Sequence, residues 1–79
     1  MIILGIDPGY AIMGYGVVES VGASVRAIDC GVVETPKDMP FPERLERLYT
    51  GTRQLIERFC PAHVAFEELF FYHNVTTAI

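Results

Sequence analysis

Met1-Ile2-Ile3-Leu4-Gly5-Ile6-Asp7-Pro8-Gly9 is the stretch whose reading decides the fold. Ile2, Ile3, Leu4 and Ile6 do not alternate with polar residues, so both faces of the segment call for burial. That is the pattern of a central strand in a covered sheet. The run ends in a carboxylate, and Pro8-Gly9 turns the chain directly after it. Asp7 is thereby expected at the exit of a buried strand, rigidly placed and half desolvated. A strand also ends in an acidic residue simply because it leaves for water. Asp7 therefore gains meaning only from what else reaches it.

The neighbours of this strand follow from spacing. After a turn over 8–13, Gly14 to Ser20 reads as a second strand, with Gly14 and Gly16 as positions for a bulge or a close approach. Ser20 to Ser24, with Gly22 inside, is a tight reversal. Val25 to Glu34 reads as a third strand that sets Ile28, Cys30 and Val32 on one face. Such short links force antiparallel neighbours, so the three strands form a meander. Pro42 suits the first turn of a helix, where its missing N–H costs nothing. Leu45, Leu48, Tyr49, Thr52, Leu55, Ile56 and Phe59 then recur at helical spacing as one apolar stripe. Glu43 and Arg47 are placed for an i,i+4 pair on the outer face. Gly51 is expected to allow close packing on the sheet, and Pro61 ends the helix. Val64-Ala65-Phe66 reads as a fourth strand ending in Glu67-Glu68. A right-handed crossover through the helix lays it parallel to the first. Leu69 to His73 is an aromatic-rich loop, and a second helix is expected near Asn74.

The 79 residues allow one small domain. At 51% hydrophobic the chain is globular rather than disordered. It is apolar for a domain of this size, and Asn74 to Ile79 looks like the start of an element, so a piece of a larger α/β domain is expected. The net charge of -4 argues against unaided nucleic-acid binding through a basic surface, and it suits a site that collects cations. Cys30 and Cys60 show no metal-ligand spacing and read as buried, reduced thiols. There is no leader pattern and no apolar run long enough to span a bilayer, so a cytoplasmic protein without a membrane partner is expected.

If strands one and four are parallel neighbours, Asp7 and Glu67 both lie at their carboxyl ends, about 4.8 Å apart in strand spacing. Two carboxylates this close either share a proton or hold a divalent cation between them. Magnesium fits best, because it prefers oxygen ligands and is held by a few carboxylates, waters and phosphate oxygens. The carboxyl ends of strands are also where open α/β sheets place their ligands. Glu68 points the other way if the strand continues.

Two blocks carry a resemblance. Ile3-Leu4-Gly5-Ile6-Asp7-Pro8-Gly9 with Gly14-Tyr15-Gly16-Val17 is similar to the amino terminus of the RuvC-type Holliday junction resolvases. Val64 to Phe71, then Asn74 and Thr77-Ala78, resembles the second motif of that family, at the family's spacing. The resemblance covers essentially the whole chain but about the first half of a family member. It implies a ribonuclease H-like mixed sheet, of which residues 1–79 are the amino-terminal part. It implies a homodimeric, magnesium-dependent endonuclease that nicks four-way DNA junctions in recombination and repair. A branch-migration helicase complex is an implied partner. Four acidic residues hold two metal ions, with Asp7 the first and Glu67 the second; the other two lie in a segment absent from these residues. Phe70 maps onto the family's junction-contacting aromatic.

The residues themselves leave other readings open. Phe70 also reads as a core or interface phenylalanine, and Phe71 does so more readily. Tyr72 and His73 are candidates for DNA contact, although a lone His is often a plain surface residue. Tyr10-Ala11-Ile12-Met13 replaces a more polar turn of the family, and His73 and Thr76 stand where lysines are common. One alternative is an actin- or sugar-kinase-like nucleotide-binding domain, whose Asp-x-Gly turn Asp7-Pro8-Gly9 superficially fits. Tyr10 and Ala11 lack the hydroxyls that such a turn uses. A second alternative is a non-catalytic interaction module with the same fold. The 79 residues by themselves are expected to be inactive, with two of four carboxylates.

Overall fold

The computed structural model describes residues 1–9 and 11–67. The expectations for Phe70, Tyr72 and His73, and for a helix near Asn74, lie outside them. The chain runs β1 (Ile2–Pro8), β2 (Ile12–Val21), β3 (Ser24–Glu34), α1 (Phe41–Phe59) and β4 (His63–Phe66). The four strands form one sheet in the order β3-β2-β1-β4. β1 pairs antiparallel with β2 and parallel with β4, so the meander, the crossover helix and the parallel fourth strand are all present.

Local chemistry explains the boundaries. Gly22 takes φ 58° in the two-residue link between β2 and β3, a conformation open to glycine. The ladder between those strands slips at Val17/Val18, where the β3 side carries one extra residue, Ile28. The bulge is therefore not at Gly14 or Gly16, both of which pair in register. α1 starts after Pro40 with Pro42 in its first turn, and Glu43 there suits the helix dipole. It ends in Cys60, at φ 46°, whose N–H donates to the Ile56 carbonyl at 2.8 Å.

The core lies between α1 and one face of the sheet. Leu4, Ile6, Met13, Val17 and Leu55 are buried, with Ile2, Tyr15, Val33, Leu48 and Phe59 packed against them. Gly51 is the close-packing point of the helix: an added Cβ meets the two Val33 methyls at 3.1 and 3.2 Å. Tyr15 lies across the backbone of Gly31, where a Cβ would come within 2.8 Å of its hydroxyl, and donates to Asp29 Oδ2 at 3.3 Å.

Three expectations are corrected. The apolar stripe of α1 divides in two. Leu48, Leu55 and Phe59 face the core, whereas Leu45, Tyr49 and Ile56 are exposed, as is Phe41. The exposed set is one helical flank, opposite the polar flank of Glu43, Arg47, Thr50 and Gln54 that borders β3. Glu43 and Arg47 do not pair; the i,i+4 ion pair of the helix is Arg53 with Glu57 at 2.8 Å. β1 is central, but only its helix-side face is covered among the described residues. Ile3 and Gly5 on the other face are half-buried.

Replacing Gly51 with leucine should destabilise the fold by about 1–3 kcal/mol in urea unfolding, the usual cost of overpacking. Burial pushes the Tyr15 phenol up, and the charge and hydrogen bond of Asp29 push the same way. The folded state then holds this proton more tightly than the unfolded state. Its stabilising effect is full below the unfolded value of about 10 and is lost as pH rises through the folded value. Tyr15→Phe should flatten that alkaline decline in stability, and an unchanged decline would contradict the assignment.

Candidate functional site

Asp7 and Glu67 are brought together by the β1–β4 register. The parallel pairs run Ile3↔His63, Leu4↔Val64, Gly5↔Ala65 and Ile6↔Phe66, so Asp7 and Glu67 are the next rung. The Glu67 N–H donates to the Ile6 carbonyl at 3.0 Å, which carries the ladder to that rung. Side chains alternate between faces, so Asp7 shares a face with Gly5 and Glu67 shares it with Ala65. This is the face away from α1, since Leu4 and Ile6 point into the core.

The two carboxylates stand at one end of an open trough of about 790 Å³. Its floor is Gly5, Gly14, Gly16 and Ala65, and its far side is Cys30 and Val32. Gly14 pairs directly with Asp7, and a Cβ there would lie 3.9 Å from the Asp7 Cβ. The floor is thus nearly bare backbone next to two acids. Such a surface admits a bulky ligand close to the sheet.

Asp7 is exposed, as is Glu67, where Asp7 was expected to be half desolvated. The reason is that α1 covers the opposite face. Exposed carboxylates one strand spacing apart repel by only about 1 kcal/mol in water. Their donor set is all oxygen, faces open space and suits a hard divalent cation such as magnesium. Among the described residues no group of three His, Cys, Asp or Glu side chains converges to hold a metal. The pair alone offers two carboxylates, so a cation bound here would need water, phosphate or other carboxylates for the rest of its shell.

Cys30 and Cys60 are free thiols, as the spacing implied, but both are exposed rather than buried: Cys30 lies on the sheet face away from α1 and Cys60 caps the end of the helix. Phe70, Tyr72 and His73 cannot be placed relative to the trough, being outside the described residues. Sequence reasoning missed Thr35 and Arg44. Thr35 is buried and binds the β1–β2 turn, and Arg44 is buried at the start of α1. The available signal was spacing: Arg44 stands four residues before Leu48, on the inward side of the helix.

Comparison with known proteins gives a consistent result. Residues 3–79 match the family model described as Crossover junction endodeoxyribonuclease RuvC. The chain is 57% identical over 76 residues to a protein of that name from Chloroflexus aggregans, covering 96% of this chain and 46% of that protein. It is 49% identical over 79 residues to one from Thermotoga petrophila, covering 48% of it. Among solved structures, T. thermophilus RuvC in complex with Holliday junction substrate aligns with a TM-score of 0.79 at 39% identity, over 86% of this chain and 42% of that one. The chain spans about half the length of the curated relatives it matches.

The tightness of the turn after Asp7 can be measured. A Cβ on Gly9 would lie inside contact distance of the Ile12 carbonyl oxygen, whereas one on Gly16 meets nothing within 4 Å. Gly9→Ala should cost about 1–3 kcal/mol in unfolding experiments, and Gly16→Ala should leave stability nearly unchanged.

Proposed function

The chain belongs to the RuvC family of crossover junction endodeoxyribonucleases, and from that premise we propose that the whole protein resolves four-way DNA junctions by magnesium-dependent phosphodiester hydrolysis. The observation that carries the proposal is the adjacency of Asp7 and Glu67 on one rung of a parallel strand pair, facing a bare backbone floor. Family membership displaces the nucleotide-binding alternative. It leaves a non-catalytic role to be decided by whether Asp7 is required.

In this reading Asp7 and Glu67 are metal ligands of a two-ion site. Asp7 and Glu67 would hold magnesium, whose chemistry there would be activation of a water and stabilisation of charge at the leaving oxygen. Asp7, on the central strand, holds its carboxylate in a fixed position, and Glu67 places a second carboxylate from the neighbouring strand. Gly5, Gly14 and Gly16 leave room for the sugar-phosphate backbone to approach them. Two further carboxylates complete the site from outside these residues. The chain carries a net charge of -4, so cations and basic surface elsewhere must offset its repulsion of phosphate. Phe70 is assigned to stacking in the opened junction, which tolerates any base, with Tyr72 and His73 as flanking DNA contacts. The working unit is a homodimer, matched to the symmetry of the junction and acting with a branch-migration helicase complex in the cytoplasm. No helix among the described residues is long and apolar enough to cross a membrane.

The whole protein should cleave a synthetic four-way junction in magnesium. Asp7→Asn should abolish cleavage while keeping junction affinity in gel-shift titrations; normal cutting by that variant would show that the metal ligands are assigned wrongly. The 79 residues alone should show no cleavage.

A further inference from the structure

We infer that Thr35 and Arg44 are positioning residues for the metal-binding end of β1, clasping the turn that follows Asp7; this rests on the reading of Asp7 as a metal ligand. Thr35 follows the last residue of β3 and is only 2% exposed, although it lies in a connecting segment. Its N–H donates to the Ala11 carbonyl at 2.8 Å, and its hydroxyl donates to the same oxygen at 3.4 Å. These bonds carry the β2–β3 ladder one step past Ile12↔Glu34 and capture the outer leg of the β1–β2 turn. The inner leg is constrained independently, because Gly9 has no room for a Cβ against the Ile12 carbonyl.

Arg44 secures the clasp from behind. It is 8% exposed, and its Nη2 donates to the carbonyls of Pro36 at 3.1 Å and Lys37 at 2.9 Å. A buried guanidinium is costly, and the first turn of a helix is the wrong end of the dipole for a cation. Both bonds come from the single Nη2 nitrogen, which bridges the carbonyls of two successive residues. Arg44 thus fixes the link between Thr35 and α1, Thr35 fixes Ala11, and Ala11 bounds the turn.

The clasped turn is close to the site. Pro8 pairs with Met13 and Asp7 with Gly14, so one rung separates Asp7 from the turn. Glu67 is held separately, through its N–H on the Ile6 carbonyl. Slack in the turn would move Asp7 relative to Glu67. Magnesium demands near-ideal octahedral geometry, so such slack is read directly as lost metal affinity.

The test uses the whole protein with Mn²⁺ as probe, measured by calorimetry, together with hydrogen exchange of the 8–12 segment. Thr35→Val keeps the volume and removes the hydroxyl, and Thr35→Ser keeps the hydroxyl. Thr35→Val should weaken Mn²⁺ binding about tenfold, the scale of lost support behind a metal ligand. It should also speed exchange at 8–12 with little change in Tm, and Thr35→Ser should restore both. Arg44→Met, which keeps the apolar stem and removes the donors, should act in the same direction. Unchanged Mn²⁺ affinity in Thr35→Val and Arg44→Met, against a wild type that binds, overturns the positioning role alone. A wild type that binds no Mn²⁺ overturns the metal reading and this inference with it.

Discussion

Everything at the site depends on the parallel pairing of β1 with β4. Parallel neighbours cannot be joined by a tight turn, so α1 exists to carry the chain back across the sheet. The register of that pairing decides the chemistry. With Gly5 opposite Ala65, Asp7 and Glu67 fall on one rung and one face. A slip of one residue would turn Glu67 toward the helix side and leave Asp7 alone. The register is held by backbone bonds at both ends of the short strand, from the Ala62 N–H to the Ile2 carbonyl and from the Glu67 N–H to the Ile6 carbonyl. Burial of Leu4 and Ile6 beneath α1 fixes the β1 side of the pair.

The two faces of the sheet have different tasks. The helix side is a conventional core, with Gly51 bringing α1 down onto Val33. The other side carries the acids over a floor of glycine and alanine, and nothing among the described residues covers it. Phe66 and Val64 on the helix side of β4, together with the exposed flank of α1, leave further apolar surface beside the core. Both features agree with a chain that spans about half of its relatives.

Much of this was legible in the sequence. The unbroken apolar run Ile2 to Ile6 marked the central strand, and the short links around Gly9 and Gly22 fixed the antiparallel meander. A five-turn helical pattern followed by Val64-Ala65-Phe66 implied the parallel return, and with it the meeting of Asp7 and Glu67. What was not legible depended on facing rather than periodicity. Leu45, Tyr49 and Ile56 fit a helical stripe, but only the position of the sheet decides which side of that stripe is covered. The bulge at Val17/Val18 left no glycine signature, because an extra residue in extended conformation needs none. Thr35 and Arg44 are polar residues in ordinary-looking positions. Their importance lies in bonds to backbone carbonyls; helical spacing puts Arg44 on the inward side of α1, but no local pattern names the carbonyls that either residue binds.

The central claim is that one cation is shared by Asp7 and Glu67. Paramagnetic broadening by Mn²⁺ in amide spectra of the whole protein tests it most directly. Signals of Asp7, Gly14 and Glu67 should broaden together at the lowest Mn²⁺ concentrations, and Glu67→Gln should weaken the effect at Asp7 as well as at position 67. Broadening at only one of the two strands, or at neither before scattered surface acids respond, would contradict a shared site.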